Sequence, residues 1–160
     1  MPETCKVFIQ TFNGFDVFID DKMIYFPSKK SKELLAILID KKGGSVSLRQ
    51  IVDILYNDRT DNIAKKNVRV IYYRLRKILE EYGCQDMLIH KRGVYSIKTD
   101  WFECDLYEFM KGNKKYLSAY TGKYMSEYPW ASGTVPYLDV IYTNGNDKFR
   151  RADYDEVLTT

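Results

Sequence analysis

The segment DNIAKKNVRVIYYRLRKILEEY, residues 61–82, has the pattern of a helix with two unlike faces. At about 100° per residue, one face collects only apolar and aromatic side chains: Val68, Ile71, Tyr72, Leu75, Ile78, Leu79 and Tyr82. The opposite face collects Lys66, Arg69, Val70, Tyr73, Arg74 and Lys77, with Asn67 and Arg76 at its flanks. The pattern predicts a helix that packs on a core and presents cations on its other side.

The cationic face carries no acidic residue before Glu80. A solvated helix usually mixes Glu with Lys and Arg, because opposite charges at i,i+4 stabilise it and like charges destabilise it by a few tenths of a kcal/mol. Here like charges follow one another along the same face. The pattern therefore favours an anionic partner, and a merely solvated face is the alternative.

The charge of the chain is unevenly distributed. At 160 residues and 45% apolar residues, the chain can form one ordinary domain or two very small ones, and its net charge is only +3. Residues 61–99 hold nine basic and four acidic residues, whereas residues 100–160 hold seven basic and ten acidic residues. A contact with nucleic acid is therefore expected from the middle of the chain and not from its last third.

The segments on either side predict a sheet, two further helices and a hairpin. Residues 6–26 are typical of three short antiparallel strands, with turns at Asn13-Gly14 and Asp20-Asp21. A helix capped by Ser28 or Ser31 should end at Gly43-Gly44, and Ser47 should cap a second helix through LRQIVDILY. MLIHKRGVYSIK, residues 87–98, predicts a hairpin with Lys91 and Arg92 at its tip.

This order of elements is that of an α+β winged helix-turn-helix, whose third helix fits a DNA major groove. SKELLAILIDKKGGSVS (31–47), RLRKIL (74–79) and the hairpin resemble the OmpR/PhoB-type winged helix of response-regulator output domains. CDLYEFMKG (104–112) and LSAYTGKYMSEYPWAS (117–132) resemble the start of a bacterial transcriptional activator domain, which makes the SARP-type branch the nearer match. The resemblance covers residues 4–140. It implies a winged helix at 4–99, a short helical appendage at 100–142 and a polar tail at 143–160.

The resemblance also implies a function and its residues. It places DNA reading on Lys66, Asn67, Arg69, Val70, Tyr73, Arg74 and Arg76, and the wing contact on Lys91 or Arg92. By its chemistry, Arg74 is suited to a guanine edge, whereas Lys66, Lys77, Lys91 and Arg92 are suited to phosphates. The expected partners are double-stranded DNA, RNA polymerase and a second copy on DNA, in tandem or as a dimer. The chain would be the effector part of a two-component response regulator, cut from a longer protein at an artificial Met1.

Other functions find little support in the sequence. Cys5, Cys84 and Cys104 are scattered and His90 is the single histidine, so we expect no metal site, no cofactor and a reducing cytoplasm. No apolar run is long enough to span a membrane. The chain has no Gly-rich phosphate loop and no nucleophile with a matched base, so we do not expect an enzyme.

The alternative is a protein interaction module that works through aromatic C-terminal helices. Tyr116, Tyr120, Tyr124, Tyr128 and Trp130 recur at nearly helical spacing, although core packing is the usual role of such a series. Asp105 is expected to cap the LYEFM helix. His90 is interpreted as a structural residue or a minor phosphate contact.

Overall fold

The computed structural model describes residues 6–57 and 61–145. In chain order the strands and helices are β1 (Val7–Gln10), β2 (Asp16–Ile19), β3 (Lys22–Met23), α1 (Lys29–Asp40), β4 (Val46–Ser47), α2 (Leu48–Leu55), α3 (Asn62–Glu80), β5 (Leu88–Lys91), β6 (Val94–Ile97), β7 (Glu103–Cys104), α4 (Asp105–Met110) and α5 (Lys114–Ala119). Short 3-10 turns lie at Gln85–Met87, Thr99–Trp101 and Pro129–Thr134. Residues 135–145 are helical. The expected α+β class is confirmed.

The described residues form two compact units. The first contains the described residues up to Ile9 together with Asp16–Glu103, and the second contains Gln10–Phe15 together with the described residues from Cys104 onward. The chain therefore changes unit three times. The domain limits expected from the resemblance, at residues 99 and 142, remain a prediction.

The predicted N-terminal strands are present, and each is shorter than its sequence pattern. The first sheet has the strand order β3-β2-β1-β7, and β2 pairs with β3 in antiparallel register, with Phe18 opposite Met23. Asp20 and Asp21 form the predicted turn with φ of 50° and 67°, because the two-residue turns that match strand twist need positive φ. Alternate side chains of β1 and β2 point inward, as expected for a sheet with one buried face.

The first unit has α1 at its centre. Ser28 caps this helix by accepting a hydrogen bond from the Ser31 amide at 3.2 Å. All six residues from Leu34 to Ile39 are buried, as the apolar LLAILI run predicts. The helix ends at Asp40 because Lys42 and Gly43 adopt positive φ, so the predicted stop at Gly43-Gly44 begins three positions after the last helical residue.

The helices α2 and α3 pack against α1 and against each other. Ser47 and Gln50 form a capping box at the start of α2. Asp61 caps α3, whose buried residues recur at helical spacing: Ala64, Val68, Ile71, Leu75 and Leu79. Tyr82, which was expected on this apolar face, is 40% exposed because α3 ends at Glu80 and the chain turns at Gly83.

A second sheet has the strand order β4-β6-β5. Its β5–β6 pair is the predicted hairpin, with Lys91 opposite Val94 and His90 opposite Tyr95. Arg92 and Gly93 make the connecting turn with φ of 52° and 73°. The turn therefore carries one of the two predicted cations, and the other ends β5.

The second unit is built around buried aromatic rings. Phe12, Phe109 and Tyr120 pack together with ring centroids 5.1–5.3 Å apart. The nearly helical spacing of the tyrosine series does not correspond to one helix, because α5 ends at Ala119 and residues 120–128 are not helical. Tyr116, Tyr120 and Tyr124 are nevertheless buried, as core residues should be.

Asp105 also differs from its expected role. The cap position of α4 is Cys104, without a side-chain hydrogen bond, and Asp105 is the first helical residue. Its buried carboxylate accepts hydrogen bonds from the Thr11 amide (2.9 Å), the Thr11 hydroxyl (2.6 Å), the Phe12 amide (3.0 Å) and the Leu106 amide (2.7 Å). It therefore joins two sequence-distant segments of the second unit.

Candidate nucleic-acid interface

The outer face of α3 is the main candidate site. The five buried residues of the helix fix its rotation, so the residues between them turn to solvent. Six of the seven predicted DNA-reading residues are exposed there, together with the predicted phosphate contact Lys77: Lys66, Asn67, Arg69, Val70, Tyr73 and Arg74. Val70 and Tyr73 are 39% and 60% exposed, so the face has apolar as well as cationic parts.

The cations of this face have few internal partners. Lys77 lies 3.6 Å from Glu80 and 5.5 Å from the centroid of the Tyr73 ring. An exposed ion pair of this kind contributes at most about 1 kcal/mol, so Lys77 can exchange Glu80 for an external anion. Within residues 6–57 and 61–145, no carboxylate lies at ion-pair distance from Lys66, Arg69 or Arg74. The outer face is therefore a positively charged surface.

Arg74 lies near the end of α2. Burial raises the pKa of the Tyr56 hydroxyl, Glu33 raises it further, and the positive charge of Arg74 opposes both effects. Lys30 lies over the same ring at 5.5 Å and donates to the Leu55 carbonyl. Arg74 thus belongs to a group of side chains from three helices, where α1, α2 and α3 meet.

Arg76 differs from the other predicted site residues. Its guanidinium lies 3.6 Å from the Asp86 carboxylate, donates to the Gln85 carbonyl at 3.5 Å and hydrogen-bonds the Tyr72 side chain. These contacts hold α3 to the segment that precedes β5. The DNA contact predicted for Arg76 remains a prediction, and its present partners are within the chain.

The hairpin tip supplies two further cations. Lys91 is the last residue of β5, Arg92 is in the turn, and both are exposed. The structure thus presents all the predicted phosphate-binding residues to solvent: Lys66, Lys77, Lys91 and Arg92.

An aromatic cluster of Tyr72, His90 and Tyr95 joins this hairpin to α3. The His90 imidazole stacks on the Tyr95 ring, with centroids 4.2 Å apart and 5° between the planes. Tyr72 meets both rings edge-on, at 5.4 Å from His90 and 5.0 Å from Tyr95. Burial raises the pKa of the Tyr95 and Tyr72 hydroxyls, while Arg69 lowers the first and Arg76 lowers the second. Two arginines of α3 therefore act electrostatically on the cluster.

This cluster was not predicted from the sequence, although the sequence contains one signal for it. A two-residue turn at Arg92-Gly93 places His90 directly opposite Tyr95 on one face of the hairpin. The contact with Tyr72 could not be read in the same way, because it depends on how the hairpin packs against α3.

The aromatic series behind the alternative function is less available as a surface. Tyr116, Tyr120 and Tyr124 are buried in the second unit, and Tyr128 and Trp130 stack on each other with centroids 5.5 Å apart. Three of its five members therefore cannot contact a partner without unfolding part of this unit.

Two other features bear on the class of site. In the part of the chain that the structure describes, no cluster of three His, Cys, Asp or Glu residues could hold a metal ion, and Cys84 and Cys104 are buried and are not in disulfides. None of the described helices is long and apolar enough to cross a lipid bilayer.

Comparison with known proteins identifies a solved structure of similar fold. No protein-family model and no curated protein matches the sequence. Among solved structures, the chain is similar to Mycobacterium tuberculosis EmbR in complex with a low affinity phosphopeptide, with a TM-score of 0.69 and 16% sequence identity. The match establishes the fold. It covers 89% of this chain but 44% of the EmbR chain, so the chain spans less than half the length of that neighbour.

Proposed function

We propose that this chain binds double-stranded DNA through the outer face of α3 and regulates transcription. The observation that carries the proposal is the exposed row of Lys66, Arg69, Arg74 and Lys77 on a helix whose opposite face is fixed in the core. A face with these cations suits a polyanion, because each phosphate neutralised by Lys or Arg releases counterions from the nucleic acid.

The dimensions of α3 suit a major groove. A groove about 12 Å wide admits an α-helix, and the cations from Lys66 to Lys77 span about 16 Å at 1.5 Å per residue. We assign the β5–β6 hairpin the role of a wing, whose Lys91 and Arg92 contact phosphates or the minor groove beside the helix. The assignment is supported by the packing of the hairpin against Tyr72 of α3.

The exposed side chains suggest a division of roles. Arg74 can bond the O6 and N7 atoms of guanine through two hydrogen bonds, and the Asn67 amide can do the same with adenine. Val70 and Tyr73 offer apolar contact to a thymine methyl group. Lys66 and Lys77 supply point charges for phosphates.

The wider setting follows the SARP-type resemblance. We propose a cytoplasmic bacterial regulator that forms the effector part of a two-component response regulator, self-associates on DNA in tandem or as a dimer, and contacts RNA polymerase. The likeness to EmbR supports this setting at the level of fold. The phosphopeptide belongs to the EmbR complex, and we do not extend it to this chain.

The salt dependence of DNA affinity tests the proposal. Binding of random-sequence duplexes should weaken as salt rises, with a slope of log affinity against log salt of roughly −0.9 per neutralised phosphate. Lys66→Ala should flatten the slope by about one phosphate contact. Lys41→Ala is the matched control, because Lys41 is exposed and follows the end of α1 opposite the end at which Lys30 contacts Tyr56. Equal slopes for wild type and Lys66→Ala would remove the outer face of α3 from the interface.

A further inference from the structure

The β5–β6 hairpin carries the tip cations and contacts α3 through the Tyr72 ring. The strand order is β4-β6-β5, so β5 is an edge strand with a hydrogen-bonded partner on one side only. The side chains of β5 alternate between the two faces of the sheet. His90 and Lys91 therefore point to opposite faces, and the orientation of the one fixes the orientation of the other.

The aromatic cluster contacts β5 on one face of the sheet, through a ring of the partner strand β6 and a ring of α3. Tyr95 is 1% exposed, whereas His90 is exposed, so the imidazole covers the Tyr95 ring at the solvent side. His90 also meets the edge of Tyr72, a residue of α3 itself. His90 therefore touches both the partner strand and the helix of the proposed DNA interface.

We propose that His90 is a positioning residue for DNA binding. By stacking on Tyr95 and packing against Tyr72, it holds β5 in place, so that the tip cations Lys91 and Arg92 meet the same duplex as the cations of α3. The inference rests on the proposed function and adds to it how two separate cationic elements act as one surface.

The chemistry of the cluster separates this role from a direct contact. The charged groups near the cluster are Lys91, next to His90 on β5, Arg69, which acts on Tyr95, and Arg76, which acts on Tyr72 and pairs with Asp86. Ring stacking requires a flat aromatic side chain and no charge. A phosphate contact requires a hydrogen-bond donor, which phenylalanine lacks. His90→Phe therefore retains the proposed role and removes the competing one.

The experiment measures DNA affinity in two backgrounds. His90→Ala and His90→Phe are made in the full chain and again in the tip variant Lys91→Ala/Arg92→Ala, and each protein is titrated with a random-sequence duplex at several salt concentrations. In the native background, His90→Ala should weaken binding about three- to tenfold, as expected from the loss of aromatic pairs. In the tip variant, His90→Ala should change DNA affinity by less than about twofold, because the two cations that His90 positions have been replaced by alanine.

The outcomes are distinct. Near-native affinity of His90→Phe, together with the background dependence of His90→Ala, supports the inference. A His90→Phe protein as weak as His90→Ala would assign His90 to a direct phosphate contact and overturn it. An equal loss in both backgrounds would also overturn it, because His90 would then act on α3 and not on the tip. If the wild-type chain itself shows no salt-dependent binding, the proposed function fails first and the inference fails with it.

Amide hydrogen exchange supplies a measurement without DNA. The amides of β5 and β6 should exchange faster in His90→Ala than in the wild type and return to wild-type rates in His90→Phe, because an edge strand without its packing contact opens more often. Unchanged exchange in His90→Ala would overturn the inference even where DNA binding is observed.

Discussion

Two regions of the molecule carry bulky residues at helical spacing, and only one of them is a helix. In α3 the apolar residues line up between the Asp61 cap and Glu80, with no Gly or Pro in between. In the tyrosine series the spacing is interrupted by Gly122, with φ of 86°, and by Pro129. Burial is nevertheless common to both. Spacing thus predicts a helix where the backbone is uninterrupted, while large aromatic side chains can reach a core from a loop as well.

The largest loss of stability is expected from a substitution in the tyrosine series. Tyr124→Ala should lower the free energy of unfolding by about 3–5 kcal/mol, because it removes a buried aromatic ring and leaves a cavity. Tyr137→Ala is the control, since this ring is 52% exposed and its loss should matter by less than about 0.5 kcal/mol. Urea denaturation followed by circular dichroism measures both. If both variants lost less than about 0.5 kcal/mol of unfolding free energy, burial of Tyr124 would not stabilise the second unit.

The two faces of α3 should separate stability from binding. Leu75→Ala should cost about 2–5 kcal/mol of unfolding free energy, because Leu75 is fully buried beneath the helix. Tyr73→Ala, two positions away on the exposed face, should leave stability nearly unchanged and weaken DNA binding. Thermal melts and duplex titrations on both proteins make the comparison. A Tyr73→Ala protein that loses as much stability as Leu75→Ala would contradict the division into two faces.

Within the outer face, Arg74→Ala should reduce binding to the best DNA site by about 1–3 kcal/mol and binding to random duplex by less. Lys66→Ala should weaken both to a similar extent, because a phosphate contact carries no sequence information. Selection of a preferred site from a random library, followed by titration of that site, supplies the measurement. Equal losses for Arg74→Ala on both kinds of duplex would assign this residue to backbone positioning.

The smallest expected effect is the change of folding stability with pH that Asp105 contributes. Burial raises the pKa of Asp105 above its usual value of 3.8, although the hydrogen bonds from Thr11, Phe12 and Leu106 oppose the shift. A carboxyl with a raised folded-state pKa favours folding when protonated, so its contribution to stability is full below pH 3.8 and declines as pH rises through the folded-state pKa. Asp105→Asn should lack this decline, because an amide does not titrate in this range. Denaturation curves at several acidic pH values, compared between the two proteins, provide the test.

Much of the first unit could be predicted because its determinants are local. Ser28, Ser47 and Asp61 cap the helices that follow them within three residues, and the two-residue turns fix the register of their hairpins. The exposure of the cationic face follows from the spacing of the buried residues on the same helix. For this reason, seven of the predicted α3 residues, together with both tip cations, are exposed.

The features that could not be predicted depend on contacts between residues that are distant in sequence. Asp105 lies 94 positions from Thr11, its main partner, and no local pattern connects them. Arg76 belongs to the cationic series by spacing, yet Asp86 and Tyr72 hold it within the chain. Both cases depend on tertiary packing, which determines whether a polar side chain has a partner within the chain or is exposed to an external one.

The sequence distance between the two segments of the second unit has a consequence for synthesis on the ribosome. Phe12 and Phe15 belong to the second unit, but the rest of that unit begins only at Cys104. At about 5–20 residues per second, their partners emerge roughly 5–20 s later. During that interval Phe12 and Phe15 lack their native ring partners Phe109, Tyr120 and Tyr128. A trigger-factor-type chaperone that shields apolar side chains should therefore raise the yield of folded protein, and a chain released before Cys104 should aggregate through this segment.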